Sequence, residues 1–141
     1  MSFPRTSGLI AVVLLFAALA YLRDPPWLIG VESGFRPWER AENGVRSRWT
    51  GGHASLFIPS TAASVTVPVR TTFAAGDAPV TVTISIDDRP AVAAELRDDS
   101  WHRLTLPLPD RSTRRVRRID IRVDRTRPGN RGVAVADVEL R

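Results

Sequence analysis

Val80-Thr81-Val82-Thr83-Ile84-Ser85-Ile86-Asp87-Asp88-Arg89-Pro90 is the stretch that decides the fold. Branched apolar residues alternate with hydroxyls, the period-two pattern of a strand that buries one face and wets the other. Asp-Asp-Arg-Pro then closes it with turn chemistry. The same alternation recurs on both sides: Val65, Val67 and Val69 upstream, and Leu104, Leu106 and Leu108 downstream. Ile119, Ile121 and Val123 then alternate with Asp120, Arg122 and Asp124, and Val133 to Leu140 closes the chain. Gly51-Gly52, Gly76-Asp77, Asp98-Asp99-Ser100, Pro109-Asp110 and Pro128-Gly129-Asn130 mark turns between the runs. With the less regular Arg46 to Thr50 and His53 to Ile58, the pattern predicts about eight short strands. No helical period interrupts them, so the expected class is all-β: an antiparallel β-sandwich, jelly-roll or immunoglobulin-like, rather than a parallel α/β sheet.

The N-terminus reads differently. Gly8 to Leu22, GLIAVVLLFAALAYL, carries no charge. Extended back to Phe3 it gives about 20 residues, roughly the 30 Å that a helix needs to cross a bilayer. Asp24-Pro25-Pro26 stops that helix, because proline has no amide donor and disfavours helix in the residue before it. Phe3, Tyr21 and Trp27 flank the span where amphipathic aromatics prefer the headgroup region. The expected organisation is an anchor helix over 1–23, a proline-containing connector over 24–32 and a sandwich over 33–141. Arg5 and the terminal amine favour a cytoplasmic N-terminus, a single pass through a bacterial inner membrane and an exported, periplasmic sandwich. The competing reading is a cleaved signal peptide, for which Ala18-Leu19-Ala20 supplies the small residues. The apolar run continues straight into that point without a polar stretch, which favours the anchor.

The 141 residues allow one domain beyond the helix. Without cysteine there are no disulfides, thiolate catalysis or cysteine-based metal sites. The net charge is +5 and every basic side chain other than histidine is arginine. Acidic residues are interleaved with the arginines, and no groove-reading motif is present, so nucleic acid is not an expected partner.

Phe35, Trp38, Trp49 and Trp101 form a candidate aromatic binding face, against the plainer reading of tryptophans as packing residues. Arg111, Arg114, Arg115, Arg117 and Arg118 are the densest charge cluster, suited to phosphate headgroups or an acidic protein surface, or simply a solvated loop. His53 and His102 lack motif partners for catalysis or metal binding. Asp87-Asp88 and Asp98-Asp99 fit turns better than calcium ligands or an acid–base pair. No Gly-x-Ser-x-Gly elbow is present. The expectation is therefore no catalytic residue, no metal, no cofactor and no enzyme; neither histidine lies in the span to ligate a pigment.

Glu42-Asn43-Gly44, Arg48-Trp49-Thr50-Gly51, Ala54-Ser55-Leu56, Ile84-Ser85-Ile86-Asp87, Trp101-His102, Ile121 to Thr126 and Gly132-Val133-Ala134-Val135 resemble the jelly-roll modules found C-terminal to some multi-span bacterial membrane glycosyltransferases. The resemblance runs from about Gly34 to the end and implies the fold. The chain departs from those proteins in having one span and no catalytic membrane domain, so no activity carries over. The first functional expectation is a non-catalytic accessory subunit docked on a larger membrane complex, an energy-transducing or photosynthetic reaction-centre or light-harvesting assembly among them. The alternative is a membrane-tethered carbohydrate-binding module, with lipid and glycan as partners. An intact mass of the purified protein is expected to include the helix; a mature chain beginning at Tyr21 would replace the anchor with a signal peptide.

Overall fold

In the computed structural model, which describes residues 5–40, 44–72, 74, 76–109 and 113–141, the alternating segments pair throughout as antiparallel strands. Helix α1 (Arg5–Arg23) is followed by β1 (Glu32–Phe35), β2 (Glu39–Arg40), β3 (Arg46–Pro59), β4 (Ser64–Arg70) and β5 (Val80–Ile86). Then come β6 (Arg89–Leu96), β7 (His102–Pro107), β8 (Val116–Val123), β9 (Ala134–Ala136) and β10 (Glu139–Leu140). The first sheet runs β1-β3-β8-β5-β6. In the second, β4 pairs with β7 on one edge and with β9 and β10 on the other, while β9 and β2 flank the start of β3. The protein is thus an antiparallel β-sandwich preceded by an apolar helix.

The strand that opened the reading behaves as its alternation requires. Val80, Val82, Ile84 and Ile86 are buried and face Val65, Val67, Val69, Leu106 and Val135 from the other sheet in one apolar cluster. Asp87 and Asp88 make the two-residue turn into β6, both with positive φ (48° and 67°). Such a turn matches the twist of the paired strands, and aspartate tolerates the left-handed region better than most side chains. Pro90 sits on β6, which forms the sheet edge, where a missing amide costs no ladder bond.

Two expectations change. Arg46 to Thr50 and His53 to Ile58 are one strand, β3, and Gly51-Gly52 is not a turn. The first half of β3 pairs with β9 and the second half with β8, so the strand passes from one sheet to the other. A strand that changes sheets needs a bend at the corner, and two glycines supply it without a side chain to bury. The edge strands β1, β2 and β6 also raise the total to ten strands among the described residues. β1 and β2 are too brief for periodicity, and β6, ArgProAlaValAlaAlaGluLeu, has small residues where a half-buried strand usually shows large ones.

At the corner the chain returns on itself. Gly132 donates its amide to the Thr50 carbonyl (2.8 Å), Thr50 donates its own to Val133 (2.8 Å), and the Val133 amide reaches Thr50 Oγ1 (3.0 Å). Thr50 and Val133 are fully buried. A Cβ on Gly132 would collide with the Gly51 carbonyl and come within 2.5 Å of Thr50 Oγ1.

Helix α1 stands apart from this core. Its apolar side chains are exposed all round, from Val12 at 50% and Leu19 at 53% to Leu9 at 68%, Phe16 at 68% and Leu22 at 75%. It is the one helix among the described residues apolar and long enough to cross a membrane. A helix apolar all round is stable only when something other than water covers it.

Gly132→Ala is expected to lower stability by about 1–3 kcal/mol through overpacking, read from the urea midpoint of the folded chain. Gly52→Ala, whose Cβ would meet only Thr126 Cγ2 at 3.7 Å, is expected to leave the midpoint nearly unchanged.

Candidate functional site

The polar phase of three neighbouring strands makes one surface. On the outer side of the first sheet, register places Ser55, Asp120 and Ser85 in one row across β3, β8 and β5. His53, Arg122 and Thr83 form the next row. Thr81 follows, its amide donating to Asp124 Oδ1 at 2.9 Å. Between β5 and β8, Thr81, Thr83, Ser85, Asp120, Arg122 and Asp124, with Asp88 and Pro90 from the hairpin, line an open groove of about 340 Å³; His53 and Ser55 stand beside it on β3.

Asp120 is the centre of this face. Its side chain is 3% exposed, and both oxygens are occupied: Oδ1 by His53 Nε2 at 2.9 Å and Oδ2 by Arg118 Nε at 2.8 Å. Burial of a carboxylate is costly unless paired and hydrogen-bonded, and here it is both. The bond to Asp120 raises the pKa of Arg118, with the charges of Asp120, Asp88 and Asp87 adding to it. His53 is half exposed. With Nε2–H given to the carboxylate, its Nδ1 accepts a hydrogen bond in the neutral ring and donates one in the charged ring. Gly34, at φ +74°, packs against the His53 carbonyl where a Cβ would collide, and so seats the strand that carries the imidazole. Arg122 is exposed beside them, and its side chain makes no ion pair or hydrogen bond among the described residues. The groove therefore offers hydroxyls and a guanidinium, with the His53 imidazole held on the adjacent strand. No serine hydroxyl is bonded to His53 among the described residues, and no group of three metal-ligating side chains occurs among them.

The aromatic candidates separate. Phe35 and Trp38 share one partner, the Arg48 guanidinium, which lies 3.8 Å from one ring centroid and 4.4 Å from the other. Arg46 also lies over Trp38 at 4.3 Å. The Arg48 side chain is 8% exposed and makes a bidentate pair with Glu32. Trp49, next on β3, points to the other side, is 7% exposed and carries Arg131 over its ring. Trp101 stacks with Arg70 ahead of β7. Only Phe35 and Trp38 thus share a location, and guanidinium groups already cover their rings.

The arginine cluster also divides. Arg117 is buried, bonding the Pro109 carbonyl and Asp87; Arg118 holds Asp120 and Asp88. Arg114 and Arg115 lie instead against the end of α1. Arg111 and Phe3 are outside the described residues, as are Glu42 and Asn43. Tyr21 and Trp27 are exposed, 53% and 61%. Asp87 and Asp88 serve the hairpin turn and its arginine partners. Asp98, Ser100 and His102 bond one another in an exposed turn, where the Ser100 hydroxyl, then its amide, then His102 lower the Asp98 pKa.

No family model matches the chain, and no curated protein sequence matches it. Among solved structures, it is similar to part of a family two carbohydrate esterase from Clostridium thermocellum, in complex with cellohexaose. That likeness has TM-score 0.51 and 9% identity, covering 79% of this chain and 31% of the esterase. A salicylyl-acyltransferase from a tetracycline biosynthetic pathway gives TM-score 0.50 and 12% identity, with 83% and 38% covered. A weaker likeness is to the CBM36-1 domain of a multidomain xylanase from the hindgut metagenome of Trinervitermes trinervoides (0.47, 11%, 79% and 90%). At these identities the likenesses concern the fold. The chain spans about a third of the length of the esterase and the acyltransferase.

Glu32→Gln is expected to cost about 3 kcal/mol, because it leaves the Arg48 guanidinium buried without a counter-charge. Calorimetric melting checks this, and an unchanged melting temperature would mean that the stacked rings alone hold the cation.

Proposed function

We propose that this chain is a membrane-tethered, non-catalytic binding module that takes carbohydrate on the outer face of its first sheet. The observation that carries the reading is the Asp120-centred row: a buried carboxylate fixes His53, with unpaired Arg122 and the hydroxyls of Thr83 and Ser85 beside it. Sugars present vicinal hydroxyls, and a preorganised set of mixed donors and acceptors binds them without ordering new side chains. The esterase that shares the fold was solved with cellohexaose, which supports a glycan as the ligand class. In this reading residues 1–23 are the anchor, 24–32 the connector and 33–141 the sandwich, exported with the N-terminus cytoplasmic. The sugar-related setting of the membrane glycosyltransferase modules fits the same ligand class.

A second reading is an accessory subunit of a larger membrane complex. The bare apolar surface of α1 favours it, since a partner's helices would cover that surface as well as lipid does. Nothing in the fold points to an energy-transducing or photosynthetic assembly in particular. Extraction in mild detergent followed by native mass spectrometry separates the readings: a stoichiometric large partner supports the subunit.

Glycan-array binding is expected to fall about tenfold or more, ~1.4 kcal/mol, in Arg122→Ala and in His53→Ala, with the melting temperature of Arg122→Ala unchanged. Binding that survives both changes but is lost with Trp49 or Trp101 replacement would return the site to the aromatics.

A further inference from the structure

The junction between α1 and the sandwich is built from two unlike walls. One is the end of the helix, with Phe16, Leu19, Ala20 and Tyr21; the other is Thr113, Arg114 and Arg115, and between them lies a cleft of about 680 Å³. Arg114 Nη2 donates to the Arg23 carbonyl (3.2 Å), and the Arg115 amide donates to Asp24 Oδ2. These bonds fix the arginine loop against the helix end. The other oxygen of Asp24, Oδ1, is buried with no hydrogen-bond partner among the described residues. Among the described residues, the lining of the cleft includes three arginines, Arg23, Arg114 and Arg115, and one carboxylate, Asp24.

The depth of this site follows from the helix. The 19 residues of α1 rise about 28 Å at ~1.5 Å each, close to the ~30 Å of hydrocarbon in a bilayer. Arg23 and Asp24 then lie at headgroup level. Trp27 and Ile29, 61% and 49% exposed, continue the apolar surface just beyond them, as residues at a membrane boundary do.

We propose that this junction holds the headgroup of an anionic glycerophospholipid, phosphatidylglycerol, with an acyl chain along the apolar wall of α1. The arginines would take the phosphate, and Asp24 Oδ1 would accept a bond from the glycerol hydroxyl. The excess of arginines among the described lining residues favours an anionic over a zwitterionic lipid. The inference rests on the membrane-tethered reading and is independent of the glycan face.

The test uses the full chain in vesicles of equimolar phosphatidylglycerol and phosphatidylcholine, extracted mildly and examined by native mass spectrometry. Phosphatidylglycerol is expected to be retained in preference to phosphatidylcholine. The R114Q/R115Q double variant is expected to lose that preference about tenfold, and R114K/R115K to keep most of it. Equal retention of both lipids by the native chain overturns the proposal, as does an unchanged preference in R114Q/R115Q. Glycerol phosphate that displaces the lipid at similar concentration would assign the cleft to a soluble phosphate and overturn it too. Failure of the native chain to stay with pure phosphatidylcholine vesicles after alkaline washing removes the membrane reading itself, which distinguishes the two failures.

Discussion

One strand belongs to both sheets, and the sandwich depends on it. β3 pairs with β8 through His53 to Pro59 and with β9 through Ser47 to Trp49. Everything that faces inward from either sheet is therefore in fixed register with everything else. The corner at Gly51 works because the chain comes back to it: Gly132 and Val133 close onto Thr50 with three hydrogen bonds around a buried hydroxyl. An unpaired buried amide costs about 1–3 kcal/mol, so satisfying them here matters more than the bend itself. A side chain on Gly132 would prevent the approach.

That register also creates the candidate face. Because side chains alternate strictly along a strand, placing Ile119 and Ile121 in the core sends Arg118, Asp120 and Arg122 outward. The same logic sends His53 and Ser55 outward from β3, and Thr83 and Ser85 from β5. Asp120 is the exception to an exposed outer phase, covered by the two groups that it bonds. Its burial is what makes His53 rigid, since a carboxylate held by Arg118 cannot follow the imidazole if it turns away.

The sandwich class was legible because β4, β5, β7 and β8 each bury one face with branched or long apolar residues. Where that signal weakens, so does the reading. β6 is an edge strand with three alanines among its eight residues and a proline, and nothing in its pattern separates it from a loop. Gly51-Gly52 reads as a turn because glycine pairs mark most turns, but both stand inside β3 without a positive φ, where the strand passes between sheets. The outer face was visible as a polar phase, but its cross-strand neighbours lie more than 30 positions apart, and register alone brings Asp120 beside His53. The tryptophans are rare, flat side chains, but the arginines over their rings, Arg46 and Arg48 on Trp38, Arg131 on Trp49 and Arg70 on Trp101, are set by the fold and not by the sequence pattern.

The fate of those rings bears on which surface recognises a ligand. A sugar stacking on an aromatic side chain needs an open π-face, and Phe35, Trp38, Trp49 and Trp101 each have a guanidinium within 6 Å of the centroid, from 3.8 Å at Phe35 to 5.7 Å at Trp49. Removing Arg48 to open Trp38 would also strand Glu32, so a ligand would have to displace a paired and largely buried charge before gaining any stacking. Arg122 faces no such cost. It is already exposed, it stands in a groove of hydroxyls, and the neighbouring imidazole is fixed from below. For the proposed glycan, hydrogen bonding on the sheet face would thus begin from a prepared surface, and stacking on Phe35 or Trp38 would begin from an occupied one.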